Sequence, residues 1–180
     1  MSFSRLFGLL LLCGMLSACG DNLIPSDDDK RPTVQAGSPG SAVGQLAPDF
    51  TVPDINGNTI SLATALAGRQ GIALYFTMWC PICDSHMSNM RSSVVPNFPN
   101  VGFYIVDYVS GSVSDAASAA SSNGYAGGSI TVLADVAHQL TNSYQGTMGT
   151  TIVIDSTGIV RMNEDYRDGS NLQAVLASLP

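Results

Sequence analysis

The stretch Ile72-Ala73-Leu74-Tyr75-Phe76-Thr77 runs without a charge into Met78-Trp79-Cys80-Pro81-Ile82-Cys83. Such a run predicts a strand buried on both faces. Pro81 suits the first turn of a helix, where the N–H it lacks would have no helical partner in any case. The two cysteines therefore stand where a buried strand hands over to a helix N-terminus. Unbonded backbone N–H groups and the positive end of the helix dipole face that point. Both favour the thiolate, which is the attacking form of cysteine. Cys80 is expected to be exposed and to attack a partner disulfide. Cys83, one turn deeper, is expected to resolve the mixed disulfide.

The rest of the chain supplies a sheet for that strand. Phe50–Val52 and Asn58–Ser61 flank Asn56-Gly57, a hairpin signal. Leu62–Ala67 predicts a short helix stopped by Gly68, and Pro81–Ser92 a longer one. Gly102–Val109 reads as a second core strand, and Ser114–Ser122 as an alanine-rich helix ending at Asn123-Gly124. Ile130–Leu133 is a strand and Val136–Tyr144 a helix. Thr150–Ile154 and Ile159–Met162 pair around Ser156-Thr157-Gly158. In the final helix, Asn171–Leu179, Leu172, Val175, Leu176 and Leu179 share one face. Strands alternating with helices, then a closing hairpin and helix, predict an α/β layered domain over residues 45–180.

The N-terminus is of another kind. Arg5 precedes the apolar run Leu6–Leu16, which is shorter than the roughly 20 residues a membrane-spanning helix needs. Residues 1–18 read as a secretory signal peptide. Leu16-Ser17-Ala18-Cys19-Gly20 resembles a bacterial lipobox, which implies cleavage before Cys19 and lipidation of its thiol. Residues 19–44, rich in Asp, Gly, Ser and Pro, are expected to be a flexible tether. Asp27–Asp29 within it read as solvated. Of four cysteines, Cys13 would leave with the signal and Cys19 would carry lipid, so the domain keeps one pair. A C-x-x-C closes too small a loop to be an efficient staple, and redox or metal chemistry is favoured. Removal of residues 1–18 takes Arg5 and no acid, so the formal charge goes from −7 to −8. No basic footprint for nucleic acid exists.

Several motifs carry a family resemblance: Ala47-Pro48-Asp49-Phe50, Trp79-Cys80-Pro81-Ile82-Cys83, Val132-Leu133-Ala134-Asp135, and Thr150–Asp155 followed by Gly158. With them the chain resembles the thioredoxin superfamily, and within it the exported thiol–disulfide oxidoreductases of the TlpA/ResA type and the related AhpC/TSA redoxins. The resemblance implies a thioredoxin fold: a central mixed sheet, helices on both faces and an N-terminal hairpin extension. It gives Trp79, Pro81, Met148 and Gly149 as substrate-contacting positions. The family's pattern has a cis-proline where this chain has Gly149, after Met148. A cis bond before a non-proline residue costs about 2.5–4 kcal/mol, so a trans bond or a more mobile loop is expected. Many relatives carry a buried acid six residues before the first cysteine. Leu74 stands there, and Asp107 is a candidate substitute in proton transfer, though a strand-end acid also reads as solvent-facing.

His86, three residues after Cys83, is a second proton-transfer candidate and otherwise a helix-surface residue. His138 reads as the start of a helix face. Met78 and Met148 read as packing residues by default and are candidates to border the cysteines, while Met87 and Met90 read as core. Asp135 and Asp155 are expected to end strands and cap turns. The leading expectation is an extracytoplasmic oxidoreductase that reduces exported protein disulfides, without a cofactor or resident metal. A membrane thiol relay would donate electrons. The lipid anchor would hold the protein in the cell envelope facing the periplasm, on the outer membrane if the cell is Gram-negative. A copper chaperone using Cys80, Cys83 and a histidine is one alternative. The other is a thiol peroxidase, whose sites place Thr or Ser three residues before the attacking cysteine, with an arginine nearby. Relative to Cys83 that position is Cys80, and Arg91 and Arg161 are the candidate arginines.

Overall fold

The computed structural model describes residues 34–180. The signal peptide, Cys19 and Asp27–Asp29 lie outside the described residues. The elements run β1 (Thr51–Pro53), β2 (Thr59–Ser61), α1 (Leu62–Leu66), β3 (Gly71–Thr77), α2 (Pro81–Asn89) and β4 (Val101–Asp107). There follow α3 (Val113–Ser122), β5 (Ile130–Ala134), α4 (Gln139–Tyr144), β6 (Thr150–Asp155), β7 (Val160–Asp165) and α5 (Ser170–Ala177). Five strands form one mixed sheet in the order β5-β4-β3-β6-β7, and β1 and β2 form a separate hairpin. β3, β4 and β5 are parallel, and β6 and β7 are antiparallel to their neighbours.

Every residue of β3 and β4 is buried. The period of two along a strand divides them between two cores. Ala73, Tyr75, Phe103, Ile105 and Val153 face one side, with Cys83 and Met87 of α2, Ala120 of α3, and Leu172 and Leu176 of α5. Ile72, Leu74, Phe76, Tyr104, Val106, Ile152 and Ile154 face the other, with Val52 of the hairpin, Leu62 and Ala65 of α1, and Leu140 and Tyr144 of α4. The fold is the expected one: a mixed sheet with helices on both faces and a hairpin ahead of it. Each fully buried Leu, Ile or Phe contributes about 1.5–3 kcal/mol, so the double-sided burial of β3 fixes the height at which its last residue leaves the sheet.

Three details differ from the sequence reading. The helix expected over 136–144 begins only at Gln139. His138 adopts the left-handed region (φ 53), and the buried Asp135 carboxylate accepts the amides of Leu140 and Thr141 (3.0 and 2.8 Å). The helix expected over 81–92 is regular only to Asn89. It widens through Met90–Val94 and tightens over Val95–Asn97, because Pro96 cannot donate to a continuing helix. The hydrogen-bonded body also begins before residue 45. Gly44 N–H donates to Val160 O (2.8 Å), and Asn163 Nδ2 donates to Ser41 O (2.8 Å). The last residues read as tether thus run against β7.

Gly146 sits in the turn that leads from α4 to β6. A Cβ there would come within 2.3 Å of the buried Phe76 ring. Gly146→Ala is expected to cost about 1–3 kcal/mol through overpacking, seen as a lower urea midpoint with an unchanged slope.

Candidate active site

β3 delivers the site at the edge of the sheet where the parallel strands end. Thr77 Oγ1 accepts the Trp79 amide (3.0 Å) and turns the chain. Trp79 takes a left-handed backbone conformation (φ 58). That is a strained state for a bulky residue, costing about 1–3 kcal/mol. Cys80 is extended (φ −83, ψ 163) and serves as the N-cap of α2, with Pro81 in the first turn. Its sulfur accepts the Cys83 amide at 3.2 Å. Cys83 is buried and Cys80 is half-buried. The two cysteines are paired at disulfide distance, with Cα atoms 5.0 Å apart. This is the division between an accessible and a shielded sulfur that the sequence predicts.

Two neighbouring strands complete the edge. The register places Asp107 of β4 beside Thr77. Asp107 is fully buried, so the solvent-facing reading of this strand-end acid is corrected. Its carboxylate accepts Trp79 Nε1 (2.8 Å), the amides of Val109 and Ser110 (both 3.0 Å) and the Ser110 hydroxyl (2.6 Å). Four donors satisfy it, and its work is to hold the Trp79 indole and the loop after β4. On the other side, Gly149 N–H donates to Phe76 O (3.0 Å), and Gly149 O accepts the Tyr166 amide (2.8 Å). No cis peptide bond occurs among the described residues, and Gly149 has φ +87. A proline ring fixes φ near −65°, so this backbone excludes the proline that the resemblance places here. Met148 carries its thioether to Cys80, Sδ to Sγ 3.4 Å. Burial raises the Tyr108 phenol, opposed by the Met148 backbone amide that faces it.

His86 lies elsewhere. Its Nδ1 is 3.1 Å from the Tyr75 hydroxyl, and its ring stacks on Tyr166 at 4.8 Å. Among the described residues it makes no hydrogen bond to either sulfur. Its desolvation lowers its pKa. Burial also raises Tyr75, whose hydroxyl therefore stays protonated. His138 lies at the start of α4, a helix that packs on the opposite face of the sheet from α2. No three His, Cys, Asp or Glu side chains among the described residues gather as a metal cluster. The two arginines are also engaged away from the sulfurs. Arg161 pairs with Asp155 (2.5 Å), which the register sets beside Gly71 at the far end of β3. Arg91 lies over the Tyr125 ring (4.6 Å) and donates to Gly124 O (2.9 Å). Thr77 stands three residues before Cys80, and its hydroxyl oxygen accepts the Trp79 amide. Asp135 and Asp155 cap turns as expected, Asp155 accepting Thr157 and Ile159 amides (2.8 and 3.0 Å).

The rim of the site is apolar. Met78, Ile82, Val109 and Met148 are 46%, 50%, 49% and 42% exposed around Cys80. A cleft of about 720 Å³, lined in part by Thr147, Thr150, Glu164 and Asp165, opens beside the Met148 loop. No sequence motif points to Tyr108 or Ser110 as part of the site. Their places depend on register between strands distant along the chain.

A model of the AhpC/TSA family matches residues 43–163. No curated protein matches the chain in sequence. Among solved structures, the chain is similar to a Chlorobium tepidum protein assigned as thiol:disulfide interchange protein DsbE, at 24% identity and TM-score 0.64 over 77% of this chain and 99% of that one. It is similar to a secreted Mycobacterium tuberculosis disulfide oxidoreductase homologous to E. coli DsbE, at 21% identity and TM-score 0.56 over 72% and 96%. It is also similar to the peroxidoxin BcpB of Mycobacterium tuberculosis, at 20% identity and TM-score 0.61 over 76% and 95%. At these identities the likeness establishes the shared thioredoxin-like fold.

Two outcomes follow from the side chains around the cysteines. In Asp107→Asn an amide NH2 would face donors inside a buried site. The variant should lose about 1–3 kcal/mol, and the emission of Trp79, the single tryptophan, should shift to the red. For His86, the lowered folded pKa means that protonation favours the unfolded chain. Its contribution is full above the unfolded value near pH 6.5 and is lost as pH falls through the folded value. Urea midpoints should therefore drop as pH falls below about 6.5, and His86→Gln should flatten that limb.

Proposed function

The chain belongs to the AhpC/TSA family, and on that premise we propose that it is an extracytoplasmic thiol–disulfide oxidoreductase that reduces disulfides of exported proteins through Cys80 and Cys83. One observation carries this reading. The half-buried Cys80 sulfur caps α2 and accepts the Cys83 amide, with the Cys83 sulfur buried behind it at disulfide distance. That hydrogen bond and the helix dipole both favour a thiolate on Cys80 in the reduced enzyme. The thiolate attacks one sulfur of a partner disulfide. A mixed disulfide forms, and the first partner sulfur leaves as a thiolate. Cys83, deprotonated, attacks Cys80, releases the second partner sulfur and closes the Cys80–Cys83 bond. Two electrons pass to the partner, and a membrane thiol donor returns the pair to the dithiol.

The apolar rim supports a protein partner. Trp79, Pro81, Met148 and Gly149 border the accessible sulfur and are the positions where an extended segment would lie. Asp107 acts through Trp79 as a positioning residue. His86, held by Tyr75 and Tyr166, has no direct path to the sulfurs and is assigned no proton transfer here. The location rests on the N-terminal sequence: a signal peptide over 1–18, a lipid on Cys19 and a tether that holds the domain in the cell envelope, on the outer membrane of a Gram-negative cell. Among the described residues no helix is long and apolar enough to cross a membrane. The engagement of Arg91 and Arg161 away from the cysteines disfavours the peroxidase alternative, and the placement of His86 and His138 disfavours a Cys–Cys–His copper chaperone.

The test is reduction of insulin disulfides with dithiothreitol as donor, beside peroxide consumption by the same preparation. The wild type should accelerate the first, and Cys80→Ser should fall to background. Cys83→Ser, mixed with insulin in the absence of dithiothreitol, should trap a mixed disulfide between Cys80 and an insulin chain, with the other insulin sulfur leaving as a thiolate, visible by intact mass. Peroxide consumed faster than disulfide, or an adduct on Cys83 in place of Cys80, would overturn the assignment.

A further inference from the structure

Cys80 Sγ meets two other sulfur atoms. One belongs to Cys83, its disulfide partner. The other is Met148 Sδ at 3.4 Å. Thiol–disulfide exchange makes and breaks its bonds at the first, and the thioether sulfur of the second, on a residue that borders the partner segment, takes no part in those bond changes. Met148 is 42% exposed, so its thioether is held at the mouth of the site and not packed in the core. The space at the next residue is open, since a Cβ at Gly149 would meet nothing within 4 Å. We propose that the reduced protein binds Cu(I) in a three-sulfur site formed by Cys80, Cys83 and Met148.

The donor set decides the metal class. Thiolates and a thioether are soft ligands that select Cu(I), whereas Mg, Ca and Mn require carboxylate, carbonyl or water oxygens. Two thiolates and one Cu(I) leave a net charge of −1 at the site. The Cys83 amide on the Cys80 sulfur and the N-terminal end of α2 face that charge. A histidine ligand is not needed, and His86 is held instead by Tyr75 and Tyr166. The chemistry balances without an unnamed reactant. Dithiothreitol gives two electrons and two protons to the disulfide and closes to its own cyclic disulfide. Cu(I) then binds the two sulfurs as thiolates, displacing the proton of each one that still carries it, so at most two protons leave per metal bound and no electron moves. The metal and the Cys80–Cys83 disulfide therefore exclude one another. The site requires only that both sulfurs reach the dithiol state, and it does not depend on which partner the dithiol reduces.

The experiment titrates the full chain, reduced with dithiothreitol and freed of it, with Cu(I) in the presence of bicinchoninate as a competing chelator. X-ray absorption then counts the sulfur neighbours of the bound metal. The reduced wild type should take one equivalent with three sulfur neighbours, and the disulfide form should take none. Met148→Leu should retain two sulfur neighbours and bind at least about tenfold more weakly, the lower end for losing a group that supports a metal site. Met78→Leu, which alters the other exposed methionine of the rim, should match the wild type. No competition with bicinchoninate, two sulfurs in the wild type, or an equal loss in Met78→Leu would overturn the site. A dithiothreitol redox titration of the same metal-free preparation separates the two readings. A reversible two-thiol couple without Cu(I) binding removes the metal site and leaves the exchange reading standing. Cu(I) binding without such a couple does the reverse.

Discussion

The sulfur of Cys80 takes the hydrogen bond that an oxygen takes in most helix N-caps. Everything else in the molecule bears on keeping it there. β3 must be buried on both faces to end at the right height. Pro81 must begin α2 without a donor. Cys83 must sit one turn down with its amide toward the first sulfur. A serine in place of Cys80 would cap the helix as well or better, so capping alone does not explain a cysteine at this position. What sulfur adds is a group that can be a thiolate at the positive end of a helix, and a partner sulfur within bonding reach.

That arrangement is under strain at the residue before it. Trp79 occupies a left-handed conformation at a cost of about 1–3 kcal/mol. Asp107 offsets this. Hydrogen bonds to a charged acceptor are worth about 1.5–3 kcal/mol each, and one of the four donors to Asp107 is the indole itself. The remaining three tie the carboxylate to the loop after β4. The indole is thus fixed to a second strand, and the position of Cys80 is referred to the sheet at two points instead of one. A carboxylate with four donors is saturated and anchored, which suits it to hold geometry more than to carry protons.

The parts of this that were legible in the sequence are those governed by local rules. Hydrophobic runs gave β3 and β4, Asn56-Gly57 gave the hairpin, and Trp79–Cys83 gave the helix entry and the reactive pair. The parts that were not legible depend on register. Asp107 reads as a strand-end acid, in solvent or in proton transfer, until β4 pairs with β3 and sets it beside Thr77. His86 reads as a proton-transfer candidate or a helix-surface residue until Tyr75 and Tyr166 hold its ring. The late start of α4 follows from Asp135 bonding amides five and six residues ahead, which no periodicity reports. Residues 41–44 look like tether by composition, yet their backbone is hydrogen-bonded to β7. Composition measures what side chains can bury, and here the attachment is made through main-chain carbonyls and amides.

Strand register also bears on which chemistry of the family this site can support. A peroxide-reducing cysteine benefits from a cation that stabilises its thiolate and the developing charge on the departing oxygen. Arg161 is committed to Asp155, beside the first residue of β3, while the cysteines follow the last. Arg91 is committed to the Tyr125 face and a backbone carbonyl. Neither can be recruited without breaking an interaction it already makes. The exposed large side chains of the rim are apolar, Met78, Ile82, Val109 and Met148, and the charged groups nearby are acids, Asp84 in the first turn of α2 and Asp107 on the Trp79 indole. An apolar rim desolvates and holds an extended chain segment but does nothing for a small polar oxidant. A buried resolving sulfur one turn away favours rapid release of a bound protein partner. These features, with Arg91 and Arg161 engaged elsewhere, are what support the proposal of exchange with protein disulfides, and neither arginine's place is encoded by a motif around the cysteines.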